Sequence, residues 1–119
     1  MNTEPINIQD RTDLSGSHQG EVVLVNVFTP KPGQMDAFVA AQTGEYKRLL
    51  GKVAGWKGNR LHCSLDGRLA VNYAVFYSLE AYKAWRESEL FREHGSIIAP
   101  FVEKSEPGIY EVLYQAGEI

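Results

Sequence analysis

Two asparagines interrupt runs that are otherwise apolar: Asn26 within "EVVLVNVFT" and Asn72 within "LAVNYAVF". A buried amide without a hydrogen bond costs about 1 to 3 kcal/mol, so each side chain either binds backbone at an edge, faces water at a strand end, or faces a bound molecule. Further on, "AYKAWRESELFREHG" carries Trp85 and His94 on what reads as helix. The nine steps between them, at about 100° each, set the two on opposite sides of a straight helix. The apolar phase breaks between them, however. Leu79, Tyr82 and Trp85 would continue through the polar Glu89, Glu93 and Ser96, whereas Leu90, Phe91, His94, Ile97, Ile98 and Phe101 form a second stripe in a new register. Ser88 suits the N-cap of a second helix and Glu89 its first turn. The segment predicts two helices with a bend that can bring Trp85 and His94 to one wall.

The elements that must position these residues follow a simple rhythm. "EVVLVNVFT" is β-branched and aromatic and ends at "PKPG", as a strand does. Met35, Phe38, Val39, Gln42, Tyr46, Leu49, Leu50 and Val53 recur at helical steps from just after Pro32. "NRLHCSL" and "RLAVNYAVFY" flank Asp66-Gly67, which predicts a two-residue hairpin, and "PGIYEVLYQ" closes with a fourth strand. The order βαββαβ is the ferredoxin-like plan of the α+β class: a four-stranded antiparallel sheet with helices on one face. Val22, Leu24 and Phe28 alternate with Val23, Val25 and Val27, so both faces of the first strand are apolar and the uncovered one predicts a homodimer. Residues 1–20 are polar apart from Ile6, Ile8 and Leu14 and read as a flexible arm, loose unless it docks. The domain proper is residues 21–119.

Composition narrows the partners. With 119 residues, 44% of them hydrophobic, the chain is one domain by size. Twelve basic residues against fifteen acidic give a net charge of -3, and the basic ones are scattered, which leaves no footprint for nucleic acid or an anionic membrane. A small molecule or a second copy of the chain is the expected partner. Cys63 is the lone cysteine, and His18 and His62 have no metal-ligand spacing, so no metal site is expected. No hydrolytic triad order, phosphate-binding glycine loop or paired apolar carboxylates occur. The first residues lack the pattern of a signal peptide and no apolar run approaches membrane-spanning length, which predicts a cytoplasmic protein.

Over residues 21 to 115, about four-fifths of the chain, the sequence resembles the antibiotic biosynthesis monooxygenase (ABM) domain family. The likeness is carried by "VNVFTPKPGQMDAF", by "AGWKGNRL" and by "AVFYSLEAYKAWRESELF", in that order. It implies a dimeric α+β barrel, and within it two branches of chemistry. The first oxidises phenolic polyketides and quinols with dioxygen and neither flavin nor metal. Asn26, Asn72 and Tyr82 match its positions, but Phe76 stands where that branch carries a tryptophan, so an indole N–H is missing. The second degrades haem, and Asn26, Trp85 and His94 match its asparagine, tryptophan and iron-ligating histidine. The expectation is a cofactor-free monooxygenase of a planar aromatic substrate. Asn26, Asn72, Trp85 and His94 would be its catalytic residues, with Phe28, Phe76, Tyr82 and Phe91 around the substrate. A haem-degrading enzyme with His94 as iron ligand is the alternative, and a non-catalytic small-molecule-binding dimer is a third.

Overall fold

The sheet is built outward from the β-branched run after Glu21. In the computed structural model, which describes residues 6–12 and 18–119, this run forms strand β2 (Val22–Pro30). The other elements are β1 (Asn7–Ile8), α1 (Met35–Leu49), β3 (Trp56–Cys63), β4 (Ala70–Phe76), α2 (Leu79–Arg86), α3 (Glu89–Ile98), a 3-10 turn (Ala99–Phe101) and β5 (Val102–Tyr110). The sheet order is β1-β5-β2-β4-β3, with β1 parallel to β5 and every other pairing antiparallel. This is the expected ferredoxin-like α+β fold, with three helices and one strand more than the four foreseen. Among the described residues, no helix is long and apolar enough to cross a membrane.

Two apolar clusters hold helices to sheet. Val22, Ala74 and Phe76 pack with Leu79 and Tyr82 of α2 at one end. At the other, Phe28, Ala70 and Val102 pack with Phe38 of α1 and Ile98 of α3. Gly55 lets α2 come close: its φ of 80° is left-handed, and a Cβ there would meet the Ala81 Cβ at 2.3 Å. That contact explains the first glycine of "AGWKG".

Three boundaries differ from the sequence reading. The last strand runs from Val102 to Tyr110 instead of 107–115, and Val102, Ser105, Pro107 and Ile109 stand opposite Pro30, Phe28, Asn26 and Leu24 of β2 on the helix-facing side of the sheet. Tyr114 therefore lies beyond the strand and is exposed. The Asp66-Gly67 hairpin has a longer loop than two residues, and only Gly67 takes φ > 0. There the Ser64 hydroxyl accepts hydrogen bonds from the Arg68 and Leu69 amides, and Asp66 accepts from Ser64 and Arg68, which lowers its pKa to about 2. Thirdly, part of the arm joins the sheet. β5 offers an open edge, and Gln9 and Arg11 donate backbone hydrogen bonds to the Ser105 and Pro107 carbonyls at 3.0 and 2.9 Å. Leu14, the remaining apolar anchor of the arm, lies outside the described residues.

Arg86 fastens this segment to the body. Its guanidinium donates to Thr12 Oγ1 at 2.8 Å, to Asp10 Oδ2 at 3.4 Å and to the buried Tyr82 hydroxyl at 3.1 Å. Arg86→Ala is expected to destabilise the fold by about 1–3 kcal/mol, since the Tyr82 hydroxyl loses its donor. It should also speed hydrogen exchange at the Gln9 and Arg11 amides. Unchanged exchange there would mean that the backbone pairing alone holds the arm.

Candidate active site

Between the helices and the helix-facing side of the sheet lies a cavity of about 200 Å³, whose walls draw on both apolar clusters. Its floor comes from alternate residues of two neighbouring strands: Leu24, Asn26 and Phe28 of β2, and Asn72, Ala74 and Phe76 of β4. Asn26 and Asn72 are register partners, directly opposite each other across the antiparallel pair. Residues so placed have Cβ atoms roughly 4.5–5.5 Å apart. Each side-chain oxygen is occupied. Ser105 Oγ donates to Asn26 Oδ1 at 2.9 Å, and Asn59 Nδ2 donates to Asn72 Oδ1 at 3.2 Å. With these oxygens accepting, the NH2 end of each amide is the one left over. Neither asparagine NH2 group has a protein acceptor among the described residues, so the floor carries two unused donors side by side.

The second wall is the α2–α3 corner. Ser88 caps α3 by accepting from the Phe91 amide at 3.1 Å, and its hydroxyl donates to the Trp85 carbonyl at 2.7 Å, tying the end of one helix to the start of the next. The bend puts Trp85 and His94 on one wall, with ring centroids 6.0 Å apart, and Phe91 packs edge-on against Trp85 at 5.4 Å.

His94 reaches across to α1. Its Nδ1 lies 3.1 Å from Glu45 Oε1, and Arg48 grips the same carboxylate with two hydrogen bonds of 2.8 Å. The Arg48 hydrogen bonds hold the Glu45 carboxyl below its ordinary pKa against the opposing effect of burial, with a smaller contribution from His94. An ionised Glu45 accepts, so Nδ1 carries the hydrogen and Nε2 is left as the basic nitrogen. Burial lowers the pKa of His94, and Glu45 only partly compensates. The imidazole is therefore neutral at pH 7 and ready to take a proton.

Helix α1 supplies the third wall. Its buried stripe is Phe38, Gln42, Glu45 and Leu49, two of them polar. Gln42 is 0% exposed, and neither its Oε1 nor its Nε2 has a hydrogen-bond partner. One turn on, the Tyr46 hydroxyl is also buried without a partner. Burial raises its pKa, which the neighbouring Asn59 amide offsets only in part. Unpaired groups of this kind cost about 1–3 kcal/mol each. Ile6 and Ile8 of the arm complete the enclosure.

Of the residues singled out in the sequence, Asn26, Asn72, Trp85, His94, Phe28, Phe76 and Phe91 all line the cavity. Tyr82 does not. It is 1% exposed, packs edge-on against Phe76 at 5.3 Å, and spends its hydroxyl on Arg86, which corrects its placement beside the substrate. Gln42, Glu45, Tyr46, Asn59 and Ser105 were not foreseen as site residues. The only signal was a glutamine inside the apolar stripe of α1. The cavity, at about 200 Å³, is smaller than the roughly 300–1,000 Å³ of pockets that take drug-sized ligands, and nothing in its lining singles out a haem. The Glu45 contact would orient a ligating histidine in the same way as it orients a general base. Among the described residues, no three of His, Cys, Asp and Glu converge on a possible metal position. Cys63 is exposed, and His62 and His18 face backbone carbonyls or, for His18, Glu111.

The family model described as antibiotic biosynthesis monooxygenase matches residues 21–95. Among curated proteins none matches. Solved structures share the fold. SnoaB of Streptomyces nogalater, described as a cofactor-independent oxygenase and solved as a mutant, is 21% identical with a TM-score of 0.73, covering 83% of this chain and 99% of its own. Protein Rv0793 of Mycobacterium tuberculosis is 18% identical with a TM-score of 0.69, covering 82% and 99%. Protein SO0527 of Shewanella oneidensis is 22% identical with a TM-score of 0.67, covering 80% and 93%.

Proposed function

This chain belongs to the antibiotic biosynthesis monooxygenase family, and from that premise we propose that its cavity binds a one- or two-ring phenol or quinol and oxidises it with dioxygen, without flavin or metal. The observation that carries the reading is the pairing of a neutral, carboxylate-anchored His94 with the two unused amide donors of Asn26 and Asn72 in one apolar cavity. The volume sets the substrate size. An apolar cavity of about 150 Å³ takes benzene, and about 200 Å³ takes a ring or two more readily than a polyketide-sized skeleton.

His94 Nε2 removes the phenolic proton, and Asn26 and Asn72 hold the resulting oxyanion. The anion passes one electron to dioxygen, and the superoxide so formed joins the radical at a ring carbon that carries hydrogen. The imidazolium returns its proton to the peroxide. Loss of that carbon's remaining hydrogen as a proton, with cleavage of the O–O bond, releases one water and leaves a carbonyl. In the keto form of the substrate, the net change is CH2 plus O2 to C=O plus H2O. Trp85, Phe28, Phe76 and Phe91 exclude water and hold the ring plane.

The protein works as a homodimer in this reading. Val25, Val27, Val71 and Val75 share the sheet face away from the helices, flanked by exposed Tyr73 and Tyr110, and no element of the described chain covers them. Light scattering should give twice the chain mass at micromolar concentration, and Val25→Lys should give the monomer. The chemistry is tested by oxygen uptake on naphthalene-sized quinols in chelated, flavin-free buffer. One dioxygen consumed per substrate, above the rate without protein, is expected. Binding without uptake would instead identify a small-molecule-binding dimer.

A further inference from the structure

The mechanism uses the floor and the α2–α3 wall but leaves α1 idle, although α1 presents the polar atoms least accounted for in the molecule. Gln42 is fully buried with donor and acceptor both unpaired, and the Tyr46 hydroxyl, one turn along the same helix, makes no hydrogen bond although the Asn59 amide, engaged with Asn72, lies beside it. Both residues line the cavity. Helical spacing of four stacks their side chains on one face, so they form a contiguous polar strip within an apolar wall.

We infer that Gln42 and Tyr46 are specificity-determining residues that read a second oxygen on the substrate, remote from the one that Asn26 and Asn72 hold. A carboxamide with both ends free, next to a hydroxyl, suits a group that donates and accepts at once, as a phenolic hydroxyl does. An apolar ring edge would leave three buried polar atoms unsatisfied. A site built around a hydroxyl rejects the analogue that lacks it far more strongly than an apolar pocket rejects an added one. The inference rests on the phenol or quinol reading above, and extends it from any small aromatic to one oxygenated at two separated positions. Arg48 and Lys47 are the cations nearest in sequence. Arg48 is committed to Glu45 and Glu93, and neither cation lines the cavity, so the strip selects a neutral oxygen.

Anaerobic titration of the tryptophan fluorescence, from Trp56 and Trp85, which both line the cavity, separates recognition from turnover. The probes are 1,4-dihydroxynaphthalene and 1-naphthol. Wild-type protein should prefer the dihydroxy compound by at least about tenfold, the size of one or two net hydrogen bonds. Tyr46→Phe and Gln42→Leu should each erase most of that preference and leave 1-naphthol affinity unchanged. Gln42→Leu should also raise the melting temperature of the ligand-free protein, because it replaces an unpaired buried amide with an apolar group of similar size. Tyr46→Phe keeps the ring, so it reports even if Gln42→Leu fails to fold. Equal affinity for the two probes in wild-type protein, or a preference that survives both variants, overturns the inference and identifies bound water as the partner of these atoms. Oxygen uptake is not part of this readout. A preference lost in the variants sustains the inference even where uptake fails and the oxygenase reading falls, and uptake without any preference sustains only that reading.

Discussion

Replacing His94 by glutamine lowers turnover by about 10²–10⁴-fold, the range of general base catalysis. Glutamine fills a similar space and can still donate to Glu45 Oε1, so the corner keeps its shape while the basic nitrogen is lost. The rate profile carries a second signature. Burial holds the pKa of His94 below the ordinary histidine value, and the charged groups facing it, Glu45 and Arg48, pull in opposite directions. kcat/KM should therefore fall on an acid limb below about pH 6.5, and the variant should lack that limb. Stability moves in the same direction. With a lowered folded pKa, the unfolded chain takes up the proton first as pH falls, so stability is present above the unfolded value and is lost below it until the folded group titrates. Thermal unfolding from pH 7.5 to 5 should show this loss in wild-type protein and less of it in the variant. A variant with parental turnover, or one that keeps the acid limb, would move the base to another group.

How far these features could be read from the sequence depends on their range. The bend at Ser88 was legible because an apolar stripe cannot change register within one straight helix, and the capping bonds of Ser88 follow from its residue type. Asn26 and Asn72 were legible as polar residues in apolar strands, but their opposition depends on the pairing of β2 with β4 across the sheet, which residue types alone do not register. The base assembly was not legible. Glu45 and His94 are 49 positions apart, and a glutamate on a helix is ordinarily a solvated charge. Gln42 was visible in the stripe of α1 and merged with the core, since periodicity reports a face and not what the face meets. The last strand was misplaced because apolar density near Tyr114 outweighed the sparser alternation of Val102, Ser105 and Ile109. Pairing of the arm with β5 depends on an open sheet edge, which exists only once the other strands are ordered.

The paired asparagines allow the second large effect to be apportioned. If their NH2 groups hold the oxyanion, removing either donor costs about 10²–10³-fold in kcat, as loss of one oxyanion donor does elsewhere. Asn72→Ala and Asn26→Ala differ in what else they disturb. The first frees the Asn59 amide, which retains access to the cavity, while the second leaves the buried Ser105 hydroxyl without its acceptor and so adds a stability loss. Asn26→Asp avoids that complication. A carboxylate oxygen still accepts from Ser105 Oγ, the shape is unchanged, and the donor is replaced by a negative charge facing the developing one. Its kcat should fall further than that of Asn26→Ala while its melting temperature stays closer to wild type. A purely structural asparagine predicts the reverse order, with alanine the more damaging change. The double alanine variant should lose less than the product of the single losses, because two donors on one oxygen act as a unit. Full multiplicativity would assign the amides to separate atoms of the substrate, and a rise in KM at constant kcat would make them groups that bind the substrate without acting on its transition state.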